Sequence, residues 1–452
     1  MYLSSFTFTV AVLPVLLLCY YLIPVRAKRY FLLIAGLLLY GWGSPVRVLY
    51  LAACVLYDYG TGLLLEKWKE KRVLSMIVLA FSAVMQTGAM VWIRGSVTGD
   101  LLFPFGIAIY TLQGLGYLIG IYRRRHTAEV NFPVLALYLT LFPVLYAGPL
   151  LSFLEYKEQL GQRPCSTEDL SEGLSLFLRG LAQKVVLADT FGYIFRELRQ
   201  TDSEQMSMLT AWLTTIVFSL YLYFELLGYS EMARGLGRTF GFTLPRNFSQ
   251  PFFTSSITTY MQSWNITLVL WFQTNFRYFL FGEHQSKWRK YSGLILMWTL
   301  IGCWYGMKPQ FALWGLTIGL LLTAEQLLLG PALKKRYVVG LFYTAIVLQF
   351  AWVLFFADSL SDAGTIWASM LGFGAGIADR SGTYFFTSYI AVILIGLYIA
   401  TDLFRNISER IAETKFGRSI AIFRPAVNVL LLLLSLASML YGERIQSLWL
   451  RL

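Results

Sequence analysis

The sequence predicts an all-α polytopic membrane protein, one membrane domain with about eleven transmembrane or re-entrant helices. Three observations predict it. Of 452 residues, 57% are hydrophobic and 14% are charged, where soluble domains carry about 25% charged residues. Apolar stretches near the roughly 20 residues needed to cross a hydrocarbon core of about 30 Å recur from end to end, leaving no separate soluble segment. The basic residues, which bring the formal charge to +12, gather in short runs at the ends of those stretches. In a soluble chain that charge would raise nucleic acid as a partner. At helix ends it reads instead as topology and attraction to anionic membrane lipids, so no nucleic acid is expected.

The first apolar segment, 8–23, is followed by Arg26, Lys28 and Arg29 and has no basic region before it. That is the pattern of a retained membrane span, with the 26–29 loop in the cytoplasm and the N-terminus outside. Runs at about 30–42 and 46–65 return the chain to the basic stretch 66–72, and 73–93 with 101–121 make a second out-and-back pair ending on Arg123, Arg124 and Arg125. Asp58 lies within one of these runs. An intramembrane carboxylate invites a functional reading, but this one could also reach the cytoplasmic interface. His126 follows the arginine run and reads as a solvated juxtamembrane side chain or, alternatively, as a catalytic group.

The segment starting at Phe103 carries Pro104, Gly106, Gly114, Gly116 and Gly120, small residues that permit close helix packing in a bilayer. The next apolar run, 141–153, contains two prolines and a glycine. It predicts a broken segment, tolerable only when buried in protein or lining a cavity. Ser166, Thr167, Glu168 and Asp169 signal a helix start. Beyond them, Leu174, Phe177, Leu178, Leu181 and Val185 share one face, with Arg179, Gln183 and Lys184 off it. This reads as an interfacial or cavity-bordering amphipathic helix, or as ordinary packing under the bundle. Spans at 310–330, 338–357, 383–403 and 424–441 complete the chain, with basic cytoplasmic connections at 334–336 and 405–418. No internal repeat is visible, so the inverted halves of many transporters find no support. Cys19, Cys54, Cys165 and Cys303 are scattered without a CxxC pair, which indicates neither a metal site nor a disulfide framework.

The stretch 224–306 is apolar yet dense in Gly, Pro, Asn, Ser, Gln and aromatic residues, a mixture a lipid-facing helix does not need. Together with FPFGIAIYTLQGLGYLIGIYR, LFPVLYAGPL, RGLAQKVVLAD and AWVLFFADSLSDAG, the segments FELLGYSEMARGLGRTFGFTLPRNFSQPF and SSITTYMQSWNITL make the chain resemble the bacterial membrane-bound O-acyltransferase (MBOAT) family. The likeness is to the branch containing alginate O-acetyltransferase and the D-alanyl transfer protein of teichoic acid. It implies a ring of helices around a tunnel, in which an acyl group from a cytoplasmic thioester donor (acyl-CoA or acyl carrier protein, with no bound cofactor) reaches an extracytoplasmic hydroxyl. The expected partners are a cell-surface polysaccharide and an extracytoplasmic acyltransferase or carrier protein.

In such proteins a histidine in a W-H-G motif acts as base, and a second occupies W-H-I-S-L. Imidazole suits the task because its pKa of about 6.5 lies near the working pH. Here the corresponding triplet is Trp304, Tyr305, Gly306, and the upstream motif reads Trp264, Asn265, Ile266, Thr267, Leu268. Tyrosine titrates near pH 10 and asparagine does not titrate, so neither replaces a neutral-pH base, though both still form hydrogen bonds. Where relatives carry arginines and an Arg-Asp pair, this chain has Gln262, Ser263, Gln273 and Thr274. Loss of one buried charge releases its partners, so the cluster suggests a centre relieved of catalysis.

Substitute groups remain to be weighed. Cys303 would serve as an acyl carrier or, more simply, as a small buried packing residue. Glu225 and Glu231 offer carboxylates as bases or shared structural groups, and His284 lies in a polar loop that the family pattern does not use. The expected tunnel or substrate-binding set is Trp264, Trp271, Gln273, Cys303, Trp304, Glu225, Glu231 and Asn247, around Tyr305 and Asn265. Two functions follow: O-acylation of a surface glycan with altered residues, or a non-catalytic scaffold or lipid and acyl conduit for a partner.

Overall fold

Most helices coincide with the expected apolar runs, but helix Val25–Tyr40 takes in Arg26, Lys28 and Arg29, which the charge pattern places in a loop. The computed structural model describes residues 2–96, 106–146, 148–160, 166–249, 251–277, 286–401, 414 and 423–441. Among these, six helices are long and apolar enough to cross a membrane: Val46–Lys67, Arg72–Ser96, Met208–Thr239, Pro309–Leu329, Tyr337–Phe356 and Arg380–Ile399. Shorter apolar helices occupy Phe8–Leu22, Ile107–Tyr122, Phe132–Leu145 and Pro425–Tyr441. The expected all-α polytopic membrane architecture is the one observed. His284, Pro104, Cys165 and nearly all of the basic stretch 405–418 lie outside the described residues.

The chain groups into two compact units, interleaved along the sequence. One comprises Met1–Leu181 with Tyr229–Arg246, and the other Ala182–Gly228 with Asn247–Leu448.

In the first unit, glycines let helices approach, Gly114 among those anticipated from the sequence and Gly62 in addition. A Cβ at Gly62 would meet the Tyr117 ring at 2.9 Å, and one at Gly114 would collide with the Asp58 carboxylate. Asp58 therefore does not reach an interface: it is buried, and its Oδ1 accepts from Gln86 Nε2 at 2.8 Å. Gly106 takes a left-handed φ of 73°, directly before helix Ile107–Tyr122. The proline-rich run behaves as predicted. Helix Phe132–Thr140 stops at Leu141, Phe142–Leu145 adds one turn, and 148–152 is non-helical yet mostly buried. Ser166 and Asp169 form the anticipated start of helix Thr167–Ala182, each side chain accepting from the other's backbone N–H. His126 is half-buried rather than solvated. Its ring stacks on Tyr117 at 5.5 Å and contacts Phe153 at 5.1 Å, and burial lowers its pKa from the ordinary imidazole value.

In the second unit, two helices pack through small residues. Backbone around Phe311 occupies the space of a Cβ at Gly302, and Trp298 O occupies that of a Cβ at Gly315, so helices Lys287–Tyr305 and Pro309–Ala324 meet backbone to backbone. This contact sets the position of Tyr305, the last residue of its helix.

Candidate functional site

The site is built from the turn between two short helices, Ile257–Gln262 and Ile266–Trp271. The first is capped twice. Ser256 Oγ accepts from Thr259 N–H, while the buried Glu325 carboxylate accepts from the N–H groups of Ile257 (2.7 Å) and Thr258 (2.9 Å). An anion at a helix N-terminus satisfies donors that have no partner within the helix and opposes the positive end of its dipole.

The second helix is capped in an unusual way. Its N-cap residue, Asn265, adopts left-handed φ 43° and ψ 53°, and its side chain makes no cap. Asparagine enters this region at less cost than most residues. The capping task falls to Asn247, whose Oδ1 accepts from Thr267 N–H at 3.2 Å and from Thr267 Oγ1 at 2.5 Å, and whose backbone carbonyl accepts from Ile266 N–H at 2.8 Å. Asn247 thus positions the turn, and the Asn265 side chain is free to point elsewhere. Its Nδ2 donates to Tyr305 Oη at 2.9 Å. The positions expected to carry the chemistry, 40 residues apart in sequence, are in direct contact, and their exposures are only 7% and 2%.

Aromatic rings surround the pair. Trp264 lies against Phe248 (5.3 Å), Tyr260 (5.7 Å, stacked), Tyr223 (6.1 Å) and Trp352 (5.1 Å). Tyr305 meets Trp304, Trp314 and Phe355 edge-on at 5.3, 5.7 and 5.3 Å. Trp314 stacks on Trp352 at 5.5 Å, which joins the two groups. Gly306 closes the motif because a Cβ there would enter the Phe311 ring. Its φ of −161° is ordinary extended backbone, so sterics rather than conformation select glycine.

The other expected site residues divide. Trp304 is buried beside Tyr305, while Trp271 and Gln273 are half-buried, with Trp271 edge-on to Phe272 at 5.1 Å. Cys303 is exposed, which corrects its reading as a buried packing residue. Residues 303 and 305 are two apart on a helix, about 200° around its axis, so burying Tyr305 turns Cys303 outward. Glu231 is ion-paired to Arg234 one turn on, at 2.5 Å, within the first unit.

Glu225 is fully buried, and Lys184 Nζ lies 2.9 Å from its Oε2 and 2.5 Å from Asp189 Oδ1. On the same helix Tyr223 faces Trp264, and two residues later Glu225 faces Lys184. Lys184 was expected off the apolar face, yet it is 3% exposed. The reason is local. Residues Gln183–Ala188 form a π-helical turn, in which positions i and i+5 stack, so Asp189 comes under Lys184. The sequence marked the members separately, Lys184 and Asp189 in the segment RGLAQKVVLAD and Glu225 as a carboxylate to weigh, but not that they meet.

Comparison with known proteins gives the geometry its context. Residues 121–357, more than half the chain, match the family model described as MBOAT, membrane-bound O-acyltransferase family. The chain belongs to the membrane-bound O-acyltransferase family. It is 28% identical over 420 residues to the protein named probable alginate O-acetylase AlgI of Pseudomonas fluorescens, covering 89% of this chain and 83% of that one. It is 26% identical over 415 residues to the peptidoglycan O-acetyltransferase of Helicobacter pylori (81% and 79% covered). The teichoic acid D-alanyltransferase of Bacillus subtilis is 24% identical over 271 residues (57% and 68% covered). These MBOAT relatives act, by name, on cell-surface polymers, and the apolar helices make this MBOAT protein a multi-pass membrane protein.

Proposed function

We propose that this MBOAT protein takes part in O-acylation of an extracytoplasmic cell-surface glycan, from the bacterial cytoplasmic membrane and with its N-terminus outside, and that its own histidine-based chemistry is lost. The observation that carries this reading is the Asn265–Tyr305 hydrogen bond. Acyl transfer to a hydroxyl needs a group that takes a proton near neutral pH. An amide has no such capacity and a phenol titrates about three units too high. Here the two groups also bond to each other inside packed aromatic rings, at 7% and 2% exposure, which holds both side chains in place. Glu225, the nearest carboxylate in sequence to this region's aromatic wall, is held by Lys184 instead.

The packing also favours one form of the proposal over another. Trp264, Trp352, Trp314 and Phe355 lie in mutual contact around Tyr305, which supports a scaffold for a catalytic partner and counts against an open acyl conduit at this point. A thioester donor, acyl-CoA or acyl carrier protein, would then serve the partner. The test uses the full chain in vesicles with labelled acetyl and alanyl thioesters and a surface-glycan acceptor. Background-level transfer, unchanged by Tyr305→Phe, is expected. Robust turnover abolished by Tyr305→Phe would overturn the proposal.

A further inference from the structure

A second feature of the same unit lies outside the Asn265–Tyr305 pair. A cavity of about 330 Å³ is enclosed by helix Met208–Thr239, the segment 252–260, helix Tyr337–Phe356 and Leu397. Small-molecule sites begin at about this size. Its wall along helix Tyr337–Phe356 runs from Leu341 to Trp352, about 17 Å of helix rise that starts about 6 Å inside the helix. That helix is long and apolar enough to span, so the cavity lies at hydrocarbon depth. At its rim Phe253 and Phe342 are exposed, the latter 66%, as is Ile346. Large apolar side chains exposed at this depth face lipid, and the medium that can enter is therefore hydrocarbon.

The lining narrows the chemistry. Among the described residues, none of the lining side chains is charged, which leaves nothing to hold a phosphate or a carboxylate. Among the neutral polar side chains in the wall, three carry an atom without a hydrogen-bond partner: Thr344, Gln349 and Tyr260. Thr344 is 2% exposed and its Oγ1 has no hydrogen-bond partner, and the Gln349 Oε1 is likewise without one. Most threonines on this unit's helices return their hydroxyl to the carbonyl four residues back, as Thr214, Thr215 and Thr317 do. A buried hydroxyl left without a partner is costly, so its retention points to a partner that a ligand supplies.

We propose that this cavity is a lateral binding site for one acyl chain of a membrane phospholipid, with an ester carbonyl drawn toward the Thr344 hydroxyl. The site is one aromatic layer from the candidate centre. Tyr260 and Trp352, which line it, are the same rings that hold Trp264, the neighbour of Asn265. A bound chain would therefore fix the Trp264 side chain from behind. The inference does not depend on whether the protein transfers acyl groups.

The test reconstitutes the full-length protein in vesicles containing phosphatidylethanolamine with a photoreactive diazirine midway along one acyl chain, and maps the adducts by mass spectrometry. Adducts on residues 341–349 and 252–254 are expected to exceed those on the exposed face of Arg72–Ser96 (Ile77, Phe81, Val84), which serves as the internal reference for ordinary lipid contact. Ala345→Trp, which fills the cavity, should remove the excess and leave the reference labelling unchanged. Thr344→Val keeps the shape and removes the hydroxyl, and should lower cavity labelling about fivefold at limiting labelled lipid. Labelling no greater than at the reference helix would overturn the proposal. So would labelling unaffected by both variants, or an excess displaced by free fatty acid but not by unlabelled phospholipid.

Discussion

At the scale of single residues, Asn265 carries two demands. Its backbone sits in the left-handed region and its amide holds Tyr305. The demands can be separated by substitution. Asn265→Gly removes the bond but accepts the φ of 43°, whereas Asn265→Ala removes the bond and adds the left-handed cost of about 1–2 kcal/mol. We expect Ala to be the more destabilising, by roughly that amount, in thermal unfolding of the detergent-solubilised protein. Equal losses would show that the turn relaxes. Lys184 is held more tightly still, between two carboxylates. Lys184→Met leaves the buried Glu225 and the half-buried Asp189 without their cation and should cost about 3–5 kcal/mol, with Lys184→Met/Glu225→Gln recovering part of it. Failure of the double variant to recover any stability would mean that Lys184 acts through packing of its stem alone.

At the scale of elements, the connection that precedes helix Leu360–Met370 shows how a short motif is stapled. Ser359 caps the helix, and Asp362 accepts from Asp358 N–H at 2.9 Å, Ser203 Oγ at 2.5 Å and Arg199 Nη2 at 3.1 Å. Burial alone would raise the Asp362 pKa, but these donors outweigh it and hold the carboxyl below its ordinary value. A depressed folded-state pKa stabilises at every pH above the unfolded value and is lost only as pH falls through the folded one. The loss caused by Asp362→Asn should therefore be constant between about pH 5 and 8 and shrink below about pH 4. A loss that instead varies across pH 5–8 would assign the effect to another group. Helix contacts give a sharper contrast. Gly315→Ala places a methyl into Trp298 O and should disrupt the pairing that positions Tyr305, while Gly364→Ala, with open space around it, should be neutral. Parallel unfolding curves of the two variants check this.

At the scale of the whole molecule, the long helix Met208–Thr239 extends about 48 Å, well beyond the ~30 Å of a hydrocarbon core. Its most apolar window is 83% buried, against 22% for Arg72–Ser96 and for Arg380–Ile399. Lipid-facing spans and a protein-enclosed one thus carry similar hydropathy, and only the tertiary structure separates them. The orientation is open to direct test. If the basic runs face the cytoplasm, a cysteine introduced at Glu70 should resist a membrane-impermeant maleimide in intact cells, and one at Gly43 should react. The reverse pattern would invert the topology.

Much of this could be read from the chain itself. Period and punctuation are local properties, so spans such as Val46–Lys67 and Pro309–Leu329, the break at Leu141 and the start at Ser166 were legible, as were the motifs that carry the family. Asn265 and Tyr305 were singled out by the family resemblance, and the structure brings their side chains into contact. What the sequence could not hold was direction. A π-turn of six residues put Lys184 inside, a 200° step turned Cys303 out and Glu225 away from Trp264, and Asn247 took over a cap 18 positions away so that Asn265 could reach Tyr305. Each outcome depends on which face of a helix meets its neighbours. That is a property of packing between residues far apart in the chain, and only the tertiary structure decides it.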